Sequence, residues 1–449
     1  RSLGFLDAAA LHVGTIVGSG IFVAPAMVAG AVTTPAAGAL FWILGGLIAA
    51  CGAACYAECG SRLPHAGGFY VTYRTVYGPA LAFVGGWVAV VVTYPASTAA
   101  IALVFGSYLA EVVPVVQGHE TLAAAAAVVA SAGLNIAGVP LAAGVQRVLS
   151  GTKLLALAAI CLAAVIAAGA IGGGPATGAA APAAVATASS EGEGGLFGAA
   201  IIVALMVMLF TYDGWSDISL IAGEVRDAGR VLGPAVLAAS AAIVLVYAAV
   251  QWSVMVLLPG GKAASAQRVV ADAVMAGLGT GAGRIVALLV AVSAFGSVHS
   301  IVLGSSRIGY AMARDGNFFS WLGAVSPRRH TPARSIACLA GVTLIYVFAA
   351  GFRNLLALFT FSVWIFYSLT AVALLLLRRR GVGGPGAWRA PGGMTAPLVV
   401  IGTGIFMTTG LVRHDPRQSG IGMALLLAGF AVFAVWRRTR GGAAPAGAA

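Results

Sequence analysis

The sequence predicts an all-α integral membrane protein with twelve transmembrane helices, and three observations carry that expectation. Of 449 residues, 60% are hydrophobic and 8% charged, whereas a soluble globular chain carries about a quarter charged residues. Apolar runs of the roughly 20 residues needed to cross a hydrocarbon core recur twelve times. The first and the sixth are each interrupted by residues that a buried helix disfavours, Gly18-Ser19-Gly20 and Asp213-Gly214.

The runs cover residues 7–31, 36–61, 79–110, 121–139, 148–171, 195–223, 233–258, 283–313, 333–352, 355–377, 395–412 and 419–436, with breaks at charged or Pro/Gly-rich stretches. The first run lacks the short apolar region and small-residue cleavage site of a removable leader, so it reads as a span. Because the chain starts at Arg1 rather than Met, some preceding sequence is expected. Residues 62–78 are aromatic and basic and suit a short interfacial helix. A second connection, 259–281, suits a short helix over the outer face. The expected organisation is a first half of five spans over 1–172, a Gly/Ala/Pro/Ser-rich extracellular loop over 173–194, a second half over 195–380, and two peripheral spans with a cytoplasmic tail over 381–449.

Lys+Arg 25 against Asp+Glu 13 leaves a net charge of +12. With the N-terminus inside, 19 of the 25 basic residues fall on the cytoplasmic side and 6 on the other, so the positive-inside bias places both termini in the cytoplasm and the protein in the plasma (inner) membrane. The basic residues lie between apolar runs, without aromatic-basic surface patches. The surplus therefore reads as topology, with the lipid bilayer as partner and nucleic acid excluded. All five cysteines fall inside apolar runs and are expected as free thiols. Cys51, Cys55 and Cys59 share one helix face, where small packing residues are a better account than a metal stripe. No cofactor or metal is implied.

The two interruptions are the informative irregularity. Gly costs about 1 kcal/mol in a helix interior relative to Ala, and a carboxylate in hydrocarbon costs several times more. Broken helices expose backbone N–H and C=O groups, tolerable only where they line a cavity. The first run enters from inside and the sixth from outside, so spans 1–5 and 6–10 are expected to be inverted copies with a transport site at their breaks. Gly14 and Gly18, four apart, also suit close helix packing. The intramembrane Asp213 favours a site.

At these residues a family becomes recognisable. Gly14-Thr15-Ile16-Val17-Gly18-Ser19-Gly20-Ile21-Phe22 resembles the first-span signature of the amino acid–polyamine–organocation permeases. Phe210-Thr211-Tyr212-Asp213-Gly214-Trp215, continuing into Ala222-Gly223-Glu224-Val225, resembles the sixth span of the L-type amino acid transporter branch. Ser293-Ala294-Phe295-Gly296-Ser297, through Ser305-Ser306-Arg307 and Ala313-Arg314-Asp315-Gly316, is similar to that branch's eighth span and following loop, and Trp364-Ile365-Phe366-Tyr367 to its tenth. The resemblance spans essentially the whole chain and implies a bacterial-type permease. The implied fold is the LeuT-type 5+5 inverted repeat with broken helices 1 and 6, and the implied activity is alternating-access transport of L-amino acids.

On that reading the substrate carboxylate meets N–H groups at Ser19, Gly20 and Ile21, and its ammonium meets carbonyls near Ile16 and Phe210. By family correspondence Thr211, Ser300 and Ile301 flank the side chain. Trp364 and Tyr367 are candidate walls or gates, or core packing. Lys153, with Ser297 nearby, is implied to stand where sodium-coupled relatives hold a cation between the first and eighth spans. A fixed ammonium there predicts sodium independence, and hence a sodium-independent exchanger of neutral amino acids; a lysine snorkelling to the interface is the plainer account. Asp213 is read mainly as a structural group, with two alternatives: pairing with cationic amino acids, or accepting a proton in net uptake. His299 stands where many relatives carry a small amide; a packing role is favoured, with a proton relay open. Asp217 and Glu224 are expected to pair with arginines such as Arg226 or Arg74. Heteromeric animal relatives join a glycoprotein through an external cysteine; residues 111–120 contain none, so no disulfide-linked heavy subunit is expected.

A pump is disfavoured by the lack of a Gly-x-x-x-x-Gly-Lys-Ser/Thr loop. An intramembrane hydrolase using Ser19 with His299 is the remote enzyme alternative, weakened by Val17 in place of the expected glycine and by the lack of a third catalytic group. A channel is the remaining alternative, which saturable uptake and counterflow would exclude.

Overall fold

Pro35 follows Thr34, whose side chain accepts the Ala37 N–H at 3.2 Å, and this cap starts the first helix long enough to cross a bilayer. In the computed structural model the described residues are 4–64, 68–138, 149, 157–162, 166, 198–219, 222, 225, 227–314, 316, 318–326, 329, 331–384 and 386–439. Among them no β-strand occurs, and nine helices are long and apolar enough to cross a membrane. The protein is a multi-pass helical membrane protein.

In chain order the elements begin with α1 (Phe5–Ile16), a 3-10 turn (Ser19–Phe22) and α2 (Ala24–Ala29). The expected span over 7–31 is thus three pieces and not one helix. Next come α3 (Pro35–Arg62) and α4 (Gly68–Tyr77), the helix anticipated in the aromatic connection. The third span runs from α5 (Pro79–Val88) through a π-helical turn (Ala89–Thr93) into α6 (Tyr94–Val112), followed by α7 (Glu120–Ala137). The expected fifth span, 148–171, lies largely outside the described residues.

The second half opens with α8 (Ala199–Thr211) and a 3-10 turn (Trp215–Ser219), then α9 (Ala228–Leu257), the short helix α10 (Val269–Leu278) and α11 (Thr280–Arg314). The ninth expected span is α12 (Ala333–Ala349), 17 residues long. It is followed by α13 (Phe352–Arg379), α14 (Thr395–His414) and α15 (Pro416–Thr439).

Apolar faces pair these helices. α3 packs along α9, α11 along α6, and α13 along α14, with α1 against α9. Large side chains such as Trp42, Tyr73, Tyr247 and Phe361 are fully buried between them. Leu40, Leu44 and Leu47 of α3 and Leu427 and Val435 of α15 are exposed, as side chains facing lipid can be.

A half-buried ion pair ties α10 to the end of α6, with Arg268 Nη2 2.7 Å from Glu111 Oε2. Pairs still reached by solvent contribute little. Glu111→Gln is expected to cost about 1 kcal/mol or less, read as a small fall in thermal midpoint.

Candidate functional site

Both interrupted helices break where glycine and polar residues replace helix formers. α1 ends at Ile16; Val17 is extended at φ −69°, ψ 93°, and Gly18 likewise at φ −116°, ψ −169°. α8 ends at Thr211, after which the Asp213 N–H turns back onto the Phe210 carbonyl at 3.1 Å and Gly214 adopts φ +113°. The breaks touch. A Cβ on Gly20 would lie 2.7 Å from Thr211 Oγ1 and 3.1 Å from Thr211 Cα, and one on Gly214 would lie 2.5 Å from the Thr15 carbonyl oxygen. Only residues without a Cβ allow the chains to approach so closely.

Between the breaks lies a cavity of about 160 Å³. A water's share of liquid volume is about 30 Å³, so the space is that of several waters. Ile16, Ser19, Gly20, Phe210, Thr211 and Asp213 line it from the breaks, and Ser297, Ser300 and Ile301 from α11. Ile21 and Trp364 do not. Ile21 is fully buried, and Trp364 stands behind the wall, edge-on to Trp215 at 5.8 Å and to Tyr367 at 5.6 Å. Lys153 lies outside the described residues.

The lining is polar at specific points. Ser19 Oγ is buried without a hydrogen-bond partner. Among the described residues no base is hydrogen-bonded to it, as the activation of a catalytic serine requires. The Ile16 carbonyl accepts the Tyr247 hydroxyl at 3.2 Å, and the Phe210 carbonyl accepts the Asp213 N–H. A carbonyl oxygen has two lone pairs, so the Ile16 carbonyl can accept a further donor. The Tyr367 hydroxyl donates to Asp213 Oδ1, and its ring is held edge-on by Trp215 at 5.1 Å and Tyr56 at 5.8 Å.

Several lining residues escaped the sequence reading. Tyr56 and Tyr73 reach the cavity from α3 and α4, and Tyr73 is fixed by its hydroxyl to the Phe366 carbonyl at 2.7 Å. Asp217 corrects an expectation. It lines the cavity, its Oδ1 accepts the Tyr94 hydroxyl at 3.4 Å, and among the described residues it has no arginine partner. The 3-10 turn after the break rotates it inward, where a continued α-helix would have carried it along the span. Of the other residues in that expectation, Glu224 and Arg226 lie outside the described residues, and Arg74 is in none of the described ion pairs. The aromatic run 69–77 and the four-residue step from Asp213 were the available signals. His299 is buried away from the cavity lining, with Nδ1 3.2 Å from Asn135 Nδ2.

A multi-pass helical protein with a solute-sized cavity at two touching helix breaks has the construction of a membrane permease. A model of the amino acid permease family matches residues 3–435, and the chain belongs to that family, within the amino acid–polyamine–organocation superfamily. It is 28% identical over 438 residues to the serine/threonine exchanger SteT of Bacillus subtilis, covering 96% of both chains. It is also 28% identical over 387 residues to the human b(0,+)-type amino acid transporter 1, covering 84% of this chain and 76% of the relative. To the rabbit (Oryctolagus cuniculus) large neutral amino acids transporter small subunit 2 it is 28% identical over 445 residues, covering 96% and 80%. The protein is a transporter and not an enzyme.

Proposed function

We propose that the protein exchanges neutral L-amino acids across the plasma membrane without sodium, by alternating access in a LeuT-type 5+5 inverted repeat with both termini cytoplasmic. The observation that carries the reading is the cavity at the touching breaks, with the unpartnered Ser19 hydroxyl on one side and the Ile16 and Phe210 carbonyls on the other. The carboxylate of a zwitterion meets Ser19 and Gly20, where N–H groups opening a helical turn lack intrahelical partners. Its ammonium meets the two carbonyls. Thr211, Ser300 and Ile301 bound the side chain, and Asp213, held by Tyr367, fixes the second break. Lys153, with Ser297, takes the place of a coupling cation. Ile21 and Trp364 support the wall from behind. The relatives' names, an exchanger among them, agree with exchange. The chain works without a disulfide-linked heavy subunit, since residues 111–120 offer no cysteine.

The test is radiolabelled amino-acid uptake into sodium-free proteoliposomes, preloaded with the same amino acid or left empty. Uptake that needs internal substrate and ignores added sodium is the expected result. Uptake into empty vesicles would replace exchange by net transport, and stimulation by sodium would remove the role given to Lys153.

A further inference from the structure

The cavity carries two carboxylates, and the neutral-substrate reading uses neither as a binding group. Asp213 is occupied by the Tyr367 hydroxyl. Asp217 lies four residues further on, within the 3-10 turn that follows the break, on a segment packed against α3 and α4. Among the described residues, the hydrogen bond it receives from another helix is the long one from Tyr94, the residue that follows the π-helical turn of the third span. Such turns occur in α-helices mostly at functional sites. No lysine, arginine or histidine is among the described lining residues, and none of the described ion pairs involves Asp213 or Asp217. Both aspartates are half-buried on the lining, and a carboxylate within a membrane span is costly unless a cation or hydrogen-bond donors meet it. Independently, Ser19 is 1% exposed and lines the same cavity, and among the described residues its Oγ has no hydrogen-bond partner, so it is placed to bond a polar group of a ligand.

We propose that Asp217 and Tyr94 form a subsite for a primary ammonium group, on the α4 side of the helix breaks, that sets the transporter's preference among amino acids. The inference rests on the transport reading above. The ammonium has two sources, the terminal amine of a diamino acid held at the breaks, or the α-amine of any substrate passing the α4 side. The Tyr94 hydroxyl orients the carboxylate from the opposite wall. The carboxylate supplies the charge.

The experiment measures exchange of L-lysine and of L-alanine by wild type and Asp217→Asn in the same proteoliposomes. Expected is a rise of about tenfold in KM for L-lysine, larger than the rise for L-alanine. Equal rises for both assign the subsite to the α-amine. Unchanged constants for both, with wild type active, overturn the subsite and leave the transport reading standing; inactive wild type overturns the reading itself. Should Asp217→Asn fail to fold, competition of n-butylammonium against L-alanine exchange by wild type decides. Inhibition supports the subsite, and its absence overturns it.

Discussion

Glu58→Ala is expected to cost about 3–5 kcal/mol, the penalty for leaving buried cations without their partner, and to remove most of the monodisperse protein recovered in detergent. Glu58 is fully buried at the end of α3. Its Oε1 accepts Arg378 Nε at 2.8 Å and Arg62 Nε at 2.9 Å, and its Oε2 accepts Arg378 Nη2 at 2.5 Å and the Ala390 N–H at 2.8 Å. The arginines continue outward: Arg62 Nη1 donates to the Val382 carbonyl at 2.7 Å and Arg378 Nη1 to the Gly393 carbonyl at 2.6 Å. One carboxylate thus holds the ends of α3 and α13 and the connection to α14 together. Both guanidiniums are about nine-tenths buried, at 10% and 9% side-chain exposure, so water cannot replace the lost carboxylate. Thermal midpoints separate this from a loss of packing alone. Adding Arg378→Met to Glu58→Met should recover part of the loss, because one orphaned cation is then removed with its partner. A Glu58→Ala protein as stable as wild type would show that the clasp contributes nothing.

The clasp also marks where a single sequence stops being legible. Glu58 sits inside an apolar run between Cys55 and Cys59, and its main partner lies 320 residues away; nothing local announces the pairing. The membrane class and most spans were readable because crossing hydrocarbon demands long apolar runs, and the breaks because glycine and aspartate are costly there. Ile16, Ser19, Gly20, Phe210 and Asp213, which line the cavity at the breaks, were readable for the same reason, whereas Thr211, Ser297, Ser300 and Ile301 were named through family correspondence. Tyr73 and Tyr94 were not readable, since they enter from α4 and α6 through packing. Asp217 was expected to pair with an arginine, and the 3-10 turn that follows the break sets it on the cavity lining. Ile21 was expected to offer a backbone N–H and Trp364 to form a wall, a gate or core packing, but shape decides which neighbours of a break face the cavity, and neither is on its lining.

Gly214→Ala is expected to lower transport at least about tenfold while leaving folded protein. At φ +113° an L side chain is strained, at a cost of about 1–3 kcal/mol. The added Cβ also meets the Thr15 carbonyl oxygen at 2.5 Å, a backbone atom that no rotamer change moves aside. The relief available is separation of the two breaks, which widens the cavity and moves the Phe210 and Ile16 carbonyls apart. Ser19→Ala provides the contrast. It removes one hydroxyl that makes no hydrogen bond within the protein, so stability should hold and the loss should appear in KM, about fivefold for one hydrogen bond of roughly 1 kcal/mol to the substrate. Gly20→Ala belongs with Gly214, since its Cβ meets Thr211 at 2.7 Å, but the nearest atom is a side-chain oxygen. The expected order of damage is therefore Gly214→Ala, then Gly20→Ala, then Ser19→Ala, measured as exchange rates of purified variants at saturating and limiting alanine. A Gly214→Ala variant exchanging at the wild-type rate would mean that the touching breaks do not shape the site, and the transport route would then have to be sought elsewhere in the bundle.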